Sequence, residues 1–528
     1  MKNFKIVAIL GLAQFVMVLD STVMNVSISK VVLDLHSSVT AMQGAITFYT
    51  LTMAALMLIG AKLGDIWGRK KAFMIGSVVY ACGSLITGLS PNMTTLFIGW
   101  SIIEGLGAVL VIPAIASLVA NNYSGKERVS AYAILGAITG GAVAAGPLIG
   151  GFVTTYFSWR YVFFSEVLIM AIVLLLSGYV KDTVAKVQSK IDVLSAILSG
   201  GGLVLIVFGM LQSKTWGWIL PHGAPSINGH NIEPLGLSVV IYLIIIGCVL
   251  IKLFYNRQQK LEAENKNPLV KVSLLKISQL RSGLGVLIGQ YMITAGLFFS
   301  IPVYLQMTLG YDALSTGLHI FPLSIGLILF SVIGTKLTKK YSPKKIIRLG
   351  QIILIIAVTT LLGSVSLTLK SLVFLFAAFF AGAALGLLAS QIGNVNMSSV
   401  EKEDSSEVGG LQGLFQNLGS SLGTALIGSI FIAFLTSSFV NNIQSSNLPS
   451  NIKTTISNSS KAGIQIIPVS EVNSIAESKG VSSSDSEQIK SIYTNSQVSA
   501  MRIALAGLII VSLLALLFSK GIPDTIIK

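Results

Sequence analysis

The sequence predicts an all-α integral membrane protein: fourteen transmembrane helices, arranged as two six-helix bundles with two extra helices between them. Three observations carry that prediction. Of the 528 residues 53% are hydrophobic and only 11% charged, and the mean hydropathy is +0.80. Soluble domains are about a quarter charged, so this chain lacks the polar side chains to cover a water-facing surface of its size. Apolar windows of about 20 residues, enough to cross a bilayer as a helix, recur from one end to the other. Three quarters of the 36 lysines and arginines fall in alternate connections, the asymmetry that marks a cytoplasmic side. A soluble enzyme is thereby excluded. So is a disulfide framework, because Cys82 and Cys248 stand far apart inside apolar runs. The net charge of +15 follows from topology and favours anionic inner-leaflet lipid over nucleic acid.

The windows lie at about 6–28, 42–62, 72–89, 95–119, 131–156, 160–180, 192–213, 236–255, 283–305, 314–335, 347–366, 371–395, 408–434 and 500–519. An even number puts both termini on one side, and the basic connections make that side the cytoplasm of a cell-membrane protein. The first window is too long for a signal-peptide core, holds Asp20 and lacks a small-residue cleavage site, so it reads as a retained helix. Residues 1–190 then form the first bundle, 191–256 the additional pair and 283–528 the second bundle. Residues 257–282 read as a basic linker on the inner membrane surface. Residues 436–499, rich in Ser and Asn and mixed in charge, read as a long extracytoplasmic loop without sustained helical periodicity, partly disordered or a small hairpin. Ala61–Lys71 (AKLGDIWGRKK) aligns without gaps to Thr335–Lys345 (TKLTKKYSPKK). Each follows an even-numbered helix, so the bundles read as duplicated halves.

Asp20, Glu104 and Glu166 are the most informative residues, because a carboxylate in mid-bilayer is costly unless it is neutral, paired or facing water. They belong to helices 1, 4 and 6. With alternating helix direction and a rise of about 1.5 Å per residue, all three fall about 5 Å to the outer side of the midplane. No Lys or Arg lies at that depth in these helices, so the balancing charge is a proton or a cationic substrate. Plainer alternatives stand beside this: Asp20 bonding only neighbours such as Thr22, and Glu166 a protonated packing partner. Between helices 2 and 3, Gly64, Asp65, Gly68, Arg69 and Lys70 form a turn in which Asp65 can hold Arg69 in one conformation and release it in another, a gate latch; an ordinary basic anchor is the alternative. In helix 5, Gly136, Gly140 and Ala144, and again Gly146 and Gly150 beside Gly151, bare one face for close approach by a neighbour. Pro147 removes a backbone bond and bends that helix. Tyr49, Trp100, Phe298, Phe299 and Tyr304 could stack on a flat cation, or simply pack. Gln306, Gln391, Asn394, Asn396 and Gln416 read as helix-to-helix bonds rather than ligands.

Leu19–Asn25 (LDSTVMN), Leu63–Lys71 (LGDIWGRKK), Gly136–Gly151 (GAITGGAVAAGPLIGG) and Ser158–Phe164 (SWRYVFF) resemble the motifs of the major facilitator superfamily. More narrowly they are similar to its fourteen-span drug:proton antiporter branch, the quaternary-ammonium and multidrug exporters. The resemblance implies the major facilitator fold, two bundles rocking about a central site, with the turn motif and the fifth helix as gating and antiporter elements. The sequence departs from the family in WSIIEGLGA, where Ser101 and Glu104 stand at positions usually held by arginine and glutamine. Glu166 replaces an asparagine, and Ala61 and Ile66 replace a glycine and a basic residue. The missing arginine is tied in the family to proton coupling, which makes Glu104 a candidate substitute proton site.

These readings converge on export of amphipathic, cationic compounds in exchange for protons by a monomer without a cofactor. Its partners would be a small amphipathic molecule, protons and membrane lipid. A lipid or fatty-acid transporter of the same fold is the alternative, and a non-transporting membrane sensor a further one. No nucleotide phosphate loop or HExxH is present, and His36, His222, His230 and His319 are too scattered for a metal site. A membrane potential, worth about 2.3 kcal/mol per charge per 100 mV, would supply the driving force.

Overall fold

A computed structural model describes residues 4–182, 191–221, 223–227, 230–369, 371–401, 404–460 and 463–525. His222 and the 183–190 end of the first bundle lie outside the described residues. Fourteen described helices are long and apolar enough to cross a membrane. Six come first: α1 Phe4–Asp34, α2 Val39–Trp67, α3 Arg69–Gly88, α4 Met93–Asn122, α5 Gly125–Tyr156 and α6 Arg160–Leu176. The pair α7 Val193–Trp216 and α8 Val239–Ala263 follows, its connection holding a two-residue antiparallel ladder that pairs Ser226 with Asn231. The second half comprises α9 Ser278–Val303, α10 Ala313–Leu337, α11 Pro343–Ser364, α12 Ser371–Met397 and α13 Ser405–Gln444. It continues with the short α14 Ser450–Ser459 and α15 Val472–Ser478, and with α16 Ser483–Phe518.

Two sequence expectations are corrected. Residues 436–499 are largely helical: α13 runs on to Gln444, α14 and α15 follow, and α16 starts at Ser483. Serine, threonine and asparagine favour caps and turns in isolation. Here Thr454 and Thr455 hydroxyls donate to carbonyls one turn back, and Phe439, Ile443, Ile452, Ile456 and Tyr493 join the apolar core, so packing overrides propensity. The 257–282 linker is shorter than expected, because α8 continues to Ala263 and α9 begins at Ser278. It is also tied to the fold: Leu269 N donates to the buried Gln258 Oε1 at 2.7 Å, and Lys271 Nζ to Asp404 Oδ1 at 2.5 Å. Asp404 thereby holds the Lys271 ammonium above its ordinary pKa.

Within the first half α1 lies against α5 and α3 against α4 and α6; within the second α10 lies against α12 and α9 against α13. The halves meet along α2–α13 and α5–α10. Several hydrogen bonds cross that seam. Gln306 Nε2 donates to Val26 O at 2.9 Å, Ser29 N to Gln306 Oε1 at 3.1 Å, Leu314 N to Thr155 Oγ1 at 3.1 Å and Ser421 Oγ to Thr47 O at 3.0 Å. They cluster toward the end of the bundle that carries the α1–α2 turn. At the opposite end each half closes on itself in a matching way. Lys70 N, in the first turn of α3, donates to Asp182 Oδ2 beyond α6 at 3.0 Å. Ser342 Oγ, capping α11, donates to Asp524 Oδ1 beyond α16 at 2.5 Å. Each half thus ties the start of its third helix to an acid that follows its last.

Candidate functional site

Near its start α4 does not follow α-helical geometry. Residues Phe97–Glu104 form a π-helical stretch, a widened turn that shifts which side chains face each neighbour and that recurs at functional sites. Opposite lies Gly83 of α3, where an added Cβ would sit 2.5 Å from Glu104 N; only glycine admits the two backbones this closely. The next residue, Ser84, points its hydroxyl at two acids, 3.0 Å from Glu104 Oε2 and 3.1 Å from Glu166 Oε2. One hydroxyl hydrogen serves one acceptor at a time. Asp20, from α1, receives the Trp100 indole N–H at 3.0 Å from each carboxyl oxygen, and the Trp100 ring stacks on Tyr49 at 4.9 Å between centroids.

The structure therefore brings Asp20, Glu104 and Glu166 together, with carboxyl oxygens within 4.8 Å of one another. Their exposures of 1, 0 and 1% close the cluster from solvent in this conformation. Two unit charges 4 Å apart repel by about 4 kcal/mol even at an effective dielectric of 20. Three ionised carboxylates cannot share this volume without a cation. Among the described residues the ion pairs all lie elsewhere. Among the described residues Glu166 Oε1 is buried without a hydrogen-bond partner, and the Tyr80 hydroxyl, one turn before Ser84 on α3, lies buried near Glu104. The arrangement has the oxygen donors to take up protons, an organic cation or a hard metal ion. Thr22 is not the partner of Asp20: its hydroxyl donates to Leu19 O at 2.8 Å.

The other candidate residues separate from this cluster. Asp65 and Arg69 form an ion pair, Arg69 Nη1 donates to Ala61 O at 3.1 Å, and Gly64 leaves the space that Arg69 fills. Gly68 makes the α2–α3 turn with φ 96°, a conformation that favours glycine. In α5 the close approach expected along the small-residue face is found at Gly146, Gly150 and Gly151 but not at Gly136. Cβ atoms on Gly146 and Gly150 would meet Thr22 and Val23 of α1, and one on Gly151 would lie 2.7 Å from Ala313 O of α10. Gly140 meets only Ile328, at 3.3 Å, and Gly136 has nothing within 4 Å. Pro147 cannot donate to Val143 O, and Ser324 Oγ of α10 takes that place at 3.3 Å. Of the aromatics, Tyr49 and Trp100 border the acids. Tyr304 instead donates to Ser366 O at 2.6 Å, while Phe298 and Phe299 are buried in the apolar core. Gln391 Nε2 bonds Gly334 O at 3.0 Å, and neither side-chain atom of the buried Asn396 is bonded.

Ser84, Tyr80, Gln43 and Lys214 were not singled out from sequence. A hydroxyl, an amide or a lysine near a helix end carries no periodic signal, and their significance comes from neighbours brought in by other helices.

A family model described as the Major Facilitator Superfamily matches residues 10–424. The chain is 25% identical to the tetracenomycin C resistance and export protein of Streptomyces glaucescens, over 82% of this chain and 76% of that one. It is 24% identical to the multidrug resistance protein Stp of Mycobacterium tuberculosis, over 81% and 75%. The crystal structure of a bacterial homolog of the human lysosomal transporter Spinster, inward-facing and unoccupied, superimposes with a TM-score of 0.60 at 15% identity, covering 99% of this chain and 98% of that one. Fourteen apolar helices in paired bundles and the family match agree: the chain belongs to the Major Facilitator Superfamily, multi-pass membrane transporters of small molecules rather than enzymes.

Proposed function

We propose that the protein is a secondary active exporter that moves amphipathic, cationic compounds out of the cytoplasm or inner leaflet in exchange for protons. The observation that carries this reading is the buried trio Asp20, Glu104 and Glu166, which shares one small volume and, among the described residues, makes no ion pair with a base. Such a cluster needs a mobile positive charge, and protons and a lipophilic cation would replace one another there. Resistance and export proteins among the relatives support the direction of transport and the breadth of substrate. The protein would act as a monomer in the cell membrane with both termini cytoplasmic, residues 1–190 and 283–528 rocking about the site and 191–256 riding beside them.

The test is uptake of ethidium into inverted vesicles driven by an acid interior. Wild-type protein accumulates the dye and Glu104→Gln does not. Accumulation by Glu104→Gln equal to wild type at every pH removes that carboxyl from the mechanism. Absence of dye transport together with gradient-dependent movement of a fatty acid assigns the fold to lipid cargo instead.

A further inference from the structure

The additional pair α7–α8 carries a buried group that the exchange reaction above does not use. Lys214, in the last turn of α7, is 9% exposed and donates through Nζ to Gln43 Oε1 at 2.7 Å. Gln43 of α2 is fully buried and turns its amide the other way. Its Nε2 donates to Thr424 O at 3.0 Å and to Ala425 O at 3.4 Å, both on α13. A Cβ on Gly428 would lie 2.2 Å from that nitrogen, so the amide sits in a slot that a larger residue would close. Ser429 Oγ of α13 adds a bond to Met210 O of α7 at 3.0 Å, and Leu51, Leu203, Val207 and Ala425 pack as an apolar cluster of the same three helices. A single chain of hydrogen bonds therefore runs from α7 through α2 to α13, across the seam between the two halves.

Among the described residues Lys214 makes no ion pair. A buried ammonium with one neutral acceptor gives up its hydration without a compensating charge. Its charge then works against the closed seam, whereas the Gln43 amide works for it. Parting of α2 from α13 would let water reach Nζ and would break the Gln43 bonds together.

We propose that Lys214 limits how long the α2–α13 gate stays shut: the Gln43 amide clasps the two halves, and the buried Lys214 charge beside it opposes that closure. The additional helix pair thus takes part in the transport cycle through its terminal lysine. This rests on the transport reading only in taking the halves to part at this end.

The two residues make opposite predictions. Spin labels are placed at the exposed Leu33 and Leu367, on opposite halves, in full-length protein with Cys82 and Cys248 replaced by alanine. Lys214→Met, which removes the buried charge, raises the ratio of short to long distances roughly tenfold, and Gln43→Leu, which removes the bonds to Thr424 and Ala425, lowers it by a similar factor. Lys214→Arg, which keeps the charge, restores the wild-type ratio. Should Lys214→Met fold poorly, Lys214→Gln gives the same comparison. The proposal is overturned if the methionine and leucine variants shift the ratio in the same direction, if neither shifts it, or if arginine behaves as methionine does. The distances are read without substrate or gradient, so failure of the proton-exchange reading leaves this test standing.

Discussion

The two halves of the molecule close alike and are filled differently. Each ties the start of its third helix to an acid beyond its last, Lys70 N to Asp182 and Ser342 to Asp524. Yet the first half buries three carboxyl groups in contact, while the second buries neutral amides. Gln290, Gln351, Gln391 and Asn396 are 5, 1, 1 and 0% exposed, and each has at least one polar atom without a partner. The halves thus share a way of closing, while the buried carboxyl groups lie on one side only. On the proposed function, the handling of protons or cations would fall to α1, α3, α4 and α6, with the second half as the surface against which that unit moves.

The sharpest way to break this comparison is to neutralise each side in turn. Asp20→Asn, Glu104→Gln or Glu166→Gln should lower gradient-driven uptake in inverted vesicles by about a hundredfold or more, the scale of a lost proton-transfer group. Gln290→Leu or Gln351→Leu should leave it within a few-fold. Equal losses on both sides would end the asymmetry.

Next in size is a steric contrast inside the first half. Gly83→Ala drives a methyl group into the Glu104 backbone and should cost about 1–3 kcal/mol, read as a lower melting temperature in detergent. Gly136→Ala meets open space and should leave melting unchanged or slightly raised. Asp65→Asn should change the transport rate only several-fold, because Asp65 is 36% exposed and its pairing with Arg69 is screened.

The smallest effects belong to the surface carboxylates. Arg257 beside Asp192 lowers that carboxyl to a pKa of about 2, and the Ser342 hydroxyl holds Asp524 below its ordinary range. Because the folded values are depressed, both contributions are complete above the unfolded value, about pH 4, and disappear as the pH falls through the folded ones. Arg257→Gln should therefore flatten the loss of melting temperature on acidification, and a flat wild-type profile would remove Asp192 from the account.

Helix number was legible because a bilayer imposes a minimum apolar length, which composition alone reveals. The common depth of Asp20, Glu104 and Glu166 was legible too, since alternating direction and a fixed rise convert position into height. Facing was not. The π-helical stretch Phe97–Glu104 has no signature in a sequence without proline or glycine pairs at the irregularity, and it rotates Trp100 and Glu104 relative to a regular helix. The small-residue stripe of α5 predicted close approach correctly at Gly146 and Gly150 but not at Gly136, because spacing shows that a face is bare and not whether a neighbour reaches it. Residues 436–499 misled for the opposite reason: their local preferences are those of a loop, and contacts from α13 and α16 outweigh them.

The indole that donates to both oxygens of Asp20 makes the cluster optically visible. Of the five tryptophans, only Trp100 touches the acids, so a variant retaining it alone would emit at a wavelength set by the charge on that carboxyl. Occupancy of the buried site could then be followed in real time in unlabelled protein.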